Sequence, residues 1–370
     1  MAKKKESIKY WDINNILKYN AHYNVVYGER SNGKTYGTLD YGLDNYFKNG
    51  SQIAYIRRWD EDLKGVKGSS IFKPLLGRII KLSKGKYNSY KYRSRAWYLT
   101  HVDADGVIDR EDLEPFAYAF SLNTYEHYKS TSYPKVGLII FDEFLTRQNY
   151  LQDEFIAFQN TLSTIIRLRT DIKIFMLGNS VNKYSIYFQE MGLSNIKNQE
   201  KGTIQLYKYG ESGLRVAVEY SDFPNKEKKS NVYFAFNNPK LEMIKNGGWE
   251  MDIYPHFPIE CRPLLPKEIL YKFFIVFDEQ IIQGDIIKKP DRVFLFFHRK
   301  TTPIKDDNTN LVYQCDYDSR RNYRRKITRP ITPLEKYIAL LFNKDKIFFQ
   351  DNEVGEVIRN YMIWCKQATL

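Results

Sequence analysis

Cysteine is scarce in this chain of 370 residues. The three present, Cys261, Cys315 and Cys365, stand far apart, and none belongs to a C-x-x-C pair. That argues against a disulfide framework and a structural zinc site, and makes a reducing cytoplasm the expected compartment. Histidine is scarce as well: His22, His101, His127, His256 and His298 show no paired ligand spacing. No apolar run approaches the ~20 residues that a membrane-spanning helix needs, so no membrane partner is expected. The opening Met1-Ala2-Lys3-Lys4-Lys5 has charge but no apolar stretch after it, unlike a secretory signal. Internal repeats and low-complexity tracts are lacking too.

Positive charge and aromatic rings are plentiful. Lysine and arginine number 57 against 44 acidic residues, a formal net charge of +13, and there are 30 Tyr and 23 Phe. Such an excess attracts polyanions, with nucleic acid the default partner, although a need for solubility would also account for it. The length suits two domains.

The first half alternates strand-like and helix-like segments. Tyr23–Tyr27, Gln52–Arg57, Phe116–Leu122, Val136–Phe141 and Ile172–Leu177 read as strands, 78–100 as a basic, Tyr-rich hairpin, and 153–168 as a helix. Strands alternating with helices indicate an α/β domain, here residues 1–220. Residues 221–255, with Pro224, the run Lys226–Lys229 and Gly247-Gly248, read as a linker with some helix. Residues 256–370 read as a small α+β domain. Its expected strands are Phe273–Phe277, Ile281–Ile287 and Val293–Phe297. A last helix follows, capped by Asn352 and striped by Val354, Val357, Ile358, Tyr361 and Cys365.

Gly28-Glu29-Arg30-Ser31-Asn32-Gly33-Lys34-Thr35 fits G-x-x-x-x-G-K-[ST], a P-loop. Its glycines, Gly28 and Gly33, let the backbone wrap phosphates. Lys34 would reach the β- and γ-phosphates of ATP, and the Thr35 hydroxyl would ligate Mg²⁺. The strand Val136–Phe141 ends in Asp142-Glu143. Asp142 would hold Mg²⁺ and Glu143 would act as general base on the attacking water. An Asp-Glu pair at a strand end can also simply start a turn; its position about a hundred residues behind a P-loop favours catalysis. Asn179, after the strand 172–177, would sit between the P-loop and the acidic strand, as a sensor of the γ-phosphate or as a plain cap. Arg167 and Arg169 end the preceding helix. In a ring, such arginines can reach a neighbour's γ-phosphate, Arg167 ahead of Arg169; alternatively they only offset the helix dipole.

For nucleic acid, residues 84–95 interleave Lys91, Arg93 and Arg95 with tyrosines. Period-two alternation puts the two sets on different faces, for phosphate contacts or for solvent. Lys129, in the loop before the acidic strand, would contact DNA or, in trans, ATP. Arg320, Arg321, Arg324, Arg325 and Lys326 form a third basic cluster. Asp103-Ala104-Asp105-Gly106 lacks the closing glutamate of a calcium loop and reads as a hairpin turn.

Taken together, these residues resemble the genome-packaging ATPases of small tailed phages of the phi-29-like group. The resemblance rests on the P-loop with its internal Arg30, Tyr55-Ile56-Arg57-Arg58, and the Tyr-rich hairpin. It continues through Leu122 with Lys129, Tyr133-Pro134, Phe141-Asp142-Glu143-Phe144, the R-x-R pair and the Asn turn, over about residues 20–190. It returns at Phe348–Trp364. It implies an additional-strand, catalytic-glutamate ATPase followed by a ribonuclease-H-like domain, usually without that fold's catalytic carboxylates. It also implies a homopentameric ring on the phage portal that drives double-stranded DNA into a prohead in the host cytoplasm, often tethered by a structural RNA. Arg30 would then couple the loop to a neighbouring subunit. The rival readings are a terminase-like ATPase with a live nuclease, built from some of Asp278, Asp285, Asp345, Asp351 and Glu353, and a nucleic-acid-binding switch that holds nucleotide without hydrolysing it.

Overall fold

A computed structural model describes residues 10–128, 131–147, 150–180, 182–222, 252–305 and 308–367. The chain divides into two compact units, Met1–Trp249 and Glu250–Leu370. The division falls inside the expected 221–255 linker, most of which lies outside the described residues.

The first unit is built on one mixed sheet. Its strands are β1 (Tyr23–Gly28), β2 (Gln52–Arg57), β3 (Ser89–Arg93), β4 (Ala96–Val102), β5 (Ile108–Glu111), β6 (Ala117–Ser121), β7 (Val136–Asp142), β8 (Lys173–Asn179), β9 (Thr203–Tyr209) and β10 (Leu214–Ser221). The order is β3-β4-β6-β2-β7-β8-β1-β10-β9, with β5 on β4. From β6 to β10 every pairing is parallel, while β4 and β9 join antiparallel at the two sides. Parallel strands need cover on both faces, and the central β7 and β8 are accordingly apolar except at their ends. Alternation sends Ile139 and Phe141 of β7 into one core with Phe158, Leu162 and Ile165, and Leu138 and Ile140 into the other with Leu39 and Leu43.

Among the described residues six helices accompany the sheet: α1 (Asn14–Leu17), α2 (Lys34–Asn49), α3 (Gly65–Ser69), α4 (Leu76–Leu82), α5 (Glu154–Ile166) and α6 (Ile186–Glu190). Gly42 lets α2 lie tight on the sheet, since a Cβ there would come within 2.6 Å of Ile53 and 2.9 Å of Leu138. The expected 78–100 hairpin is shorter than the sequence implies. Its first residues belong to α4, whose Ile79 is fully buried, and strand pairing starts only at Ser89. Asp103–Gly106 is the expected turn, closed by the Gly106 amide on the Asp103 carbonyl at 3.2 Å.

In the second unit, β11 (Ile269–Phe277), β12 (Gln280–Lys288) and β13 (Val293–Arg299) form an antiparallel meander. Strand β14 (Val312–Gln314) lies parallel to β11, β15 (Tyr323–Arg324) parallel to β14, and β16 (Ile347–Phe349) parallel to β13. The order is therefore β15-β14-β11-β12-β13-β16. Helix α7 (Pro333–Asn343) opens on a Thr332/Glu335 capping box. Helix α8 (Asn352–Gln367) buries its expected stripe of Val354, Val357, Ile358, Tyr361 and Cys365. Its cap is Asp351 rather than Asn352: Asp351 Oδ1 accepts from the Val354 amide at 2.8 Å, while Asn352 Oδ1 accepts from the Tyr254 amide at 3.1 Å.

Candidate functional site

The carboxyl ends of β1, β2, β7, β8 and β10 meet along one edge of the first sheet. Gly28 is in register with Asn179 on one side and Ser221 on the other, and Asp142 with Leu177. Open parallel sheets bind ligands at this edge. The turn 28–35 leaves β1 here. Gly28 has φ +152° with Ser221 Oγ 2.4 Å from where a Cβ would stand, and Gly33 caps α2 with φ +89°. Only glycine meets both demands comfortably. Asn32 Nδ2 ties the turn to Ser221 Oγ at 2.9 Å.

Lys34 is the first residue of α2 and is buried. Its Nζ donates to the Glu29 carbonyl at 2.6 Å and to Asn32 Oδ1 at 3.1 Å. Burial pulls its pKa down to about 8 against the opposing pull of Asp142, Glu29 and Glu219. Across from it, Thr35 Oγ1 lies 3.2 and 3.3 Å from the two Asp142 carboxylate oxygens, and the Tyr55 hydroxyl donates to Asp142 Oδ2 at 2.7 Å. A hydroxyl and a carboxylate facing each other, with a tyrosine fixing the carboxylate, suit a small hard cation such as Mg²⁺.

Glu143 follows at φ +59°, and 58% of its side chain is exposed. Its Oε2 accepts from Arg57 Nη2 at 2.6 Å; Arg57 also reaches Asp62 at 3.3 Å and Asp142 at 3.8 Å. Burial alone would weaken the Arg57 cation, but Tyr55, Glu143 and Asp142 raise its pKa above the ordinary value. Asn179 stands half-buried at the end of β8, between the turn and Asp142 as expected. Arg30 is exposed on the turn.

Arg167 lies elsewhere. Helix α5 starts beside the site at buried Glu154 and ends at Arg167, which is exposed and donates to the Thr131 carbonyl at 3.1 Å. Its neighbour Arg169 donates to the carbonyls of Tyr133, Pro134 and Val136 at the amino end of β7, and to those of Ile165 and Ile166. That is the opposite edge of the sheet, about 20 Å from Asp142 at the rise of a strand. Arg169 is committed to its own backbone, whereas Arg167 faces outward beside the fully exposed Leu168.

The hairpin separates its two sets of residues as the alternation requires. Tyr90 and Tyr92 turn inward, donating to the Ser69 and Leu63 carbonyls, while Lys91 and Arg93 face out and share Glu111 at 3.3 and 3.0 Å. Arg95 pairs with Asp60 at 2.5 Å. Lys129 lies outside the described residues. The third cluster is largely used within its own unit. Arg320 pairs with Asp318, Arg324 with buried Glu335, and Arg325 donates to the Cys315 carbonyl, leaving Arg321 exposed.

Three of the second unit's candidate carboxylates are taken up by neighbouring side chains. Asp351 and Glu353 both pair with Arg299, at 3.0 and 2.6 Å, and Asp285 takes Gln283 and His298, at 2.8 and 3.1 Å. Among the described residues no three His, Cys, Asp or Glu side chains gather as a metal site.

Sequence reasoning gave no role to Trp11, Tyr55, Arg57, Arg58, Glu154 or Glu219, all of which buttress the site. Trp11 Nε1 donates to Glu219 Oε1 at 2.9 Å beneath the turn. The one available signal was the polar end of an otherwise apolar strand, Arg57-Arg58.

Fold and site thus define an α/β sheet protein in which a glycine-rich turn with a buried lysine faces an acidic strand end. The chain belongs to the podovirus DNA encapsidation protein (Gp16) family, whose model matches residues 5–232. It is 27% identical over 182 residues to the DNA packaging protein of Bacillus phage phi29, covering 48% of this chain and 49% of that one. Against the DNA packaging protein of Bacillus phage B103 it is 27% identical over 181 residues, 48% and 50% of the two chains. The chain spans about half the length of the curated relatives it matches. The solved phi-28 gp11 DNA packaging motor superposes with a TM-score of 0.55 at 19% identity, covering 98% of this chain and 100% of that one. The phi-29 viral genome packaging motor assembly gives 0.55 at 19%, covering 97% and 100%. At that identity the likeness speaks for the fold.

Proposed function

We propose that this chain is a viral DNA-packaging motor ATPase, which hydrolyses ATP and uses the energy to drive double-stranded DNA into a prohead. The observation that carries the reading is the meeting of Lys34, Thr35, Asp142 and Glu143 at one sheet edge, in a chain of the encapsidation family. The position of β8 between β1 and β7 supports an additional-strand P-loop fold. In the proposed division, residues 1–220 form the ATPase, 221–255 link, and 256–370 form a ribonuclease-H-like domain. The order β13-β12-β11-β14-β15, with β14 parallel to β11, supports that last assignment.

In this reading, backbone amides of residues 29–34 and the Lys34 ammonium bind the β- and γ-phosphates. Thr35 and Asp142 would hold Mg²⁺, which would supply charge neutralisation at those phosphates. Glu143 orients a water in line with the γ-phosphorus and accepts its proton as the bond to the leaving ADP oxygen breaks, giving ADP and inorganic phosphate. Asn179 senses the γ-phosphate. Arg167, too far from its own site, serves a neighbouring copy in a homopentameric ring on the portal, with a structural RNA as a further partner.

Lys91, Arg93, Arg95 and Lys129 are proposed sequence-independent phosphate contacts. The test is steady-state ATP turnover against rising double-stranded DNA. Turnover should climb to a plateau and the stimulation should fall with added salt. Turnover indifferent to DNA at every salt concentration would remove the motor from the account.

A further inference from the structure

The glutamate at the acidic strand end is gripped twice, by consecutive residues. Arg57 takes its carboxylate, and Arg58 takes its main chain. Arg58 Nη1 donates to the Glu143 carbonyl at 3.2 Å and Nη2 to the Phe144 carbonyl at 2.7 Å. The remaining donor, Nε, bonds both oxygens of Glu154, at 3.0 and 2.8 Å. The Arg58 side chain is 8% exposed and that of Glu154 is 0% exposed. Glu154 is saturated in turn, accepting from the Tyr187 hydroxyl and the Leu151 amide at 2.7 Å each. The Tyr150 ring lies 5.1 Å from the guanidinium.

This expense of buried charge has a local purpose. Glu143 sits at φ +59°, a sterically disfavoured region in which a non-glycine residue persists only where its surroundings hold it. On the amide side the Phe144 N–H bonds the Leu177 carbonyl at 3.2 Å, and on the carbonyl side stands the Arg58 fork. A buried ion pair is weak support for stability, and a fixed geometry is a better account of why one is present.

We propose that Arg58 is a positioning residue. Its guanidinium, anchored on Glu154, fixes the backbone of Glu143 and Phe144 and so aims the Glu143 carboxylate. The inference rests on Glu143 being the hydrolytic carboxylate. Only a planar fork reaches Glu154 and both carbonyls together, so a lysine ammonium keeps the charge and loses the geometry.

The experiment compares full-length wild type with Arg58→Lys and Glu154→Gln. The first readout is hydrogen–deuterium exchange of the segment 141–146. The second is ATP turnover alongside nucleotide affinity, measured with a fluorescent ATP analogue. The expected result for Arg58→Lys is exchange at least tenfold faster in 141–146 with β1 and β8 unchanged. Turnover per bound nucleotide should fall at least tenfold, with affinity within threefold of wild type. Glu154→Gln, which keeps the fork and weakens its anchor, should move both readouts in the same direction by less.

Unchanged exchange at 141–146 overturns the proposal. So does turnover per bound nucleotide equal to wild type, or affinity lost in step with turnover, the mark of a merely structural role. If wild type binds nucleotide without hydrolysing it, the functional reading fails, while the exchange comparison still decides whether Arg58 fixes the segment.

Discussion

Replacing Glu219 by glutamine should change the pH dependence of the first unit's stability. The Glu219 carboxyl lies beneath the glycine-rich turn, 7% exposed, with one oxygen on Trp11 and the other buried with no hydrogen-bond partner among the described residues. Burial pushes its pKa from 4.5 up to about 7; the Trp11 bond and Lys34 pull down, and Asp12 adds to the rise. A folded-state pKa above the unfolded one means that the native chain binds the proton more tightly. The stabilisation this gives is complete below the unfolded pKa and is lost as pH rises through about 7. A gap of about 2.5 units corresponds to about 3 kcal/mol. Glutamine keeps the shape and an acceptor for Trp11 but carries no charge. Wild type should therefore lose up to about 3 kcal/mol relative to Glu219→Gln between about pH 4.5 and pH 8. Urea unfolding followed by tryptophan fluorescence, at closely spaced pH values, gives the difference between the two proteins, in which titrating groups that do not interact with Glu219 and any constant offset from the amide cancel. A difference that is flat with pH would refute the reasoning.

Three further outcomes are expected. Tyr55→Phe removes the 2.7 Å donation to Asp142, and the Mg²⁺ concentration for half-maximal turnover should rise about tenfold in a metal titration. Arg169→Ala strips donors from five carbonyls and should cost about 1–3 kcal/mol by thermal unfolding, whereas exposed Arg167→Ala should cost about 0.5 kcal/mol or less. Gly28→Ala puts a methyl 2.4 Å from Ser221 Oγ and 2.5 Å from its carbonyl oxygen; stability should drop by about 1–3 kcal/mol in chemical denaturation, and nucleotide affinity should drop with it.

The parallel core was legible because buried strands write themselves as unbroken apolar runs: Gln52–Arg57 is the strand the pattern indicates, and Val136–Phe141 gains only Asp142. The turn and the acidic strand end were legible because each is a fixed order of residue types in a short stretch of sequence, G-x-x-x-x-G-K-[ST] in one and an apolar run closing on Asp142-Glu143 in the other. What lay hidden depended on partners distant in sequence. Glu219 meets Trp11 across 208 residues and Arg58 meets Glu154 across 96, and neither spacing has a periodicity to betray it. Strand β9 is half-buried to exposed along its length and mixes polar with apolar residues, so no apolar run marked it. The start of the 78–100 segment looked like strand because its Tyr and Lys residues suit a hairpin, yet Ile79 packs at helical spacing into the core beneath α4. Asp351 took the cap from Asn352 because Tyr254, about a hundred residues upstream, claims the asparagine oxygen.

The central claim is that Glu143 drives hydrolysis at a site that Lys34 and Asp142 build. Its most direct test is Mg²⁺-dependent ATP turnover by wild type and Glu143→Gln, with nucleotide binding measured on the same samples. The account expects turnover in wild type, a loss of at least about a hundredfold in the variant, and equal binding in both. Wild-type protein that binds ATP without turning it over, or a variant that hydrolyses at the wild-type rate, would contradict it.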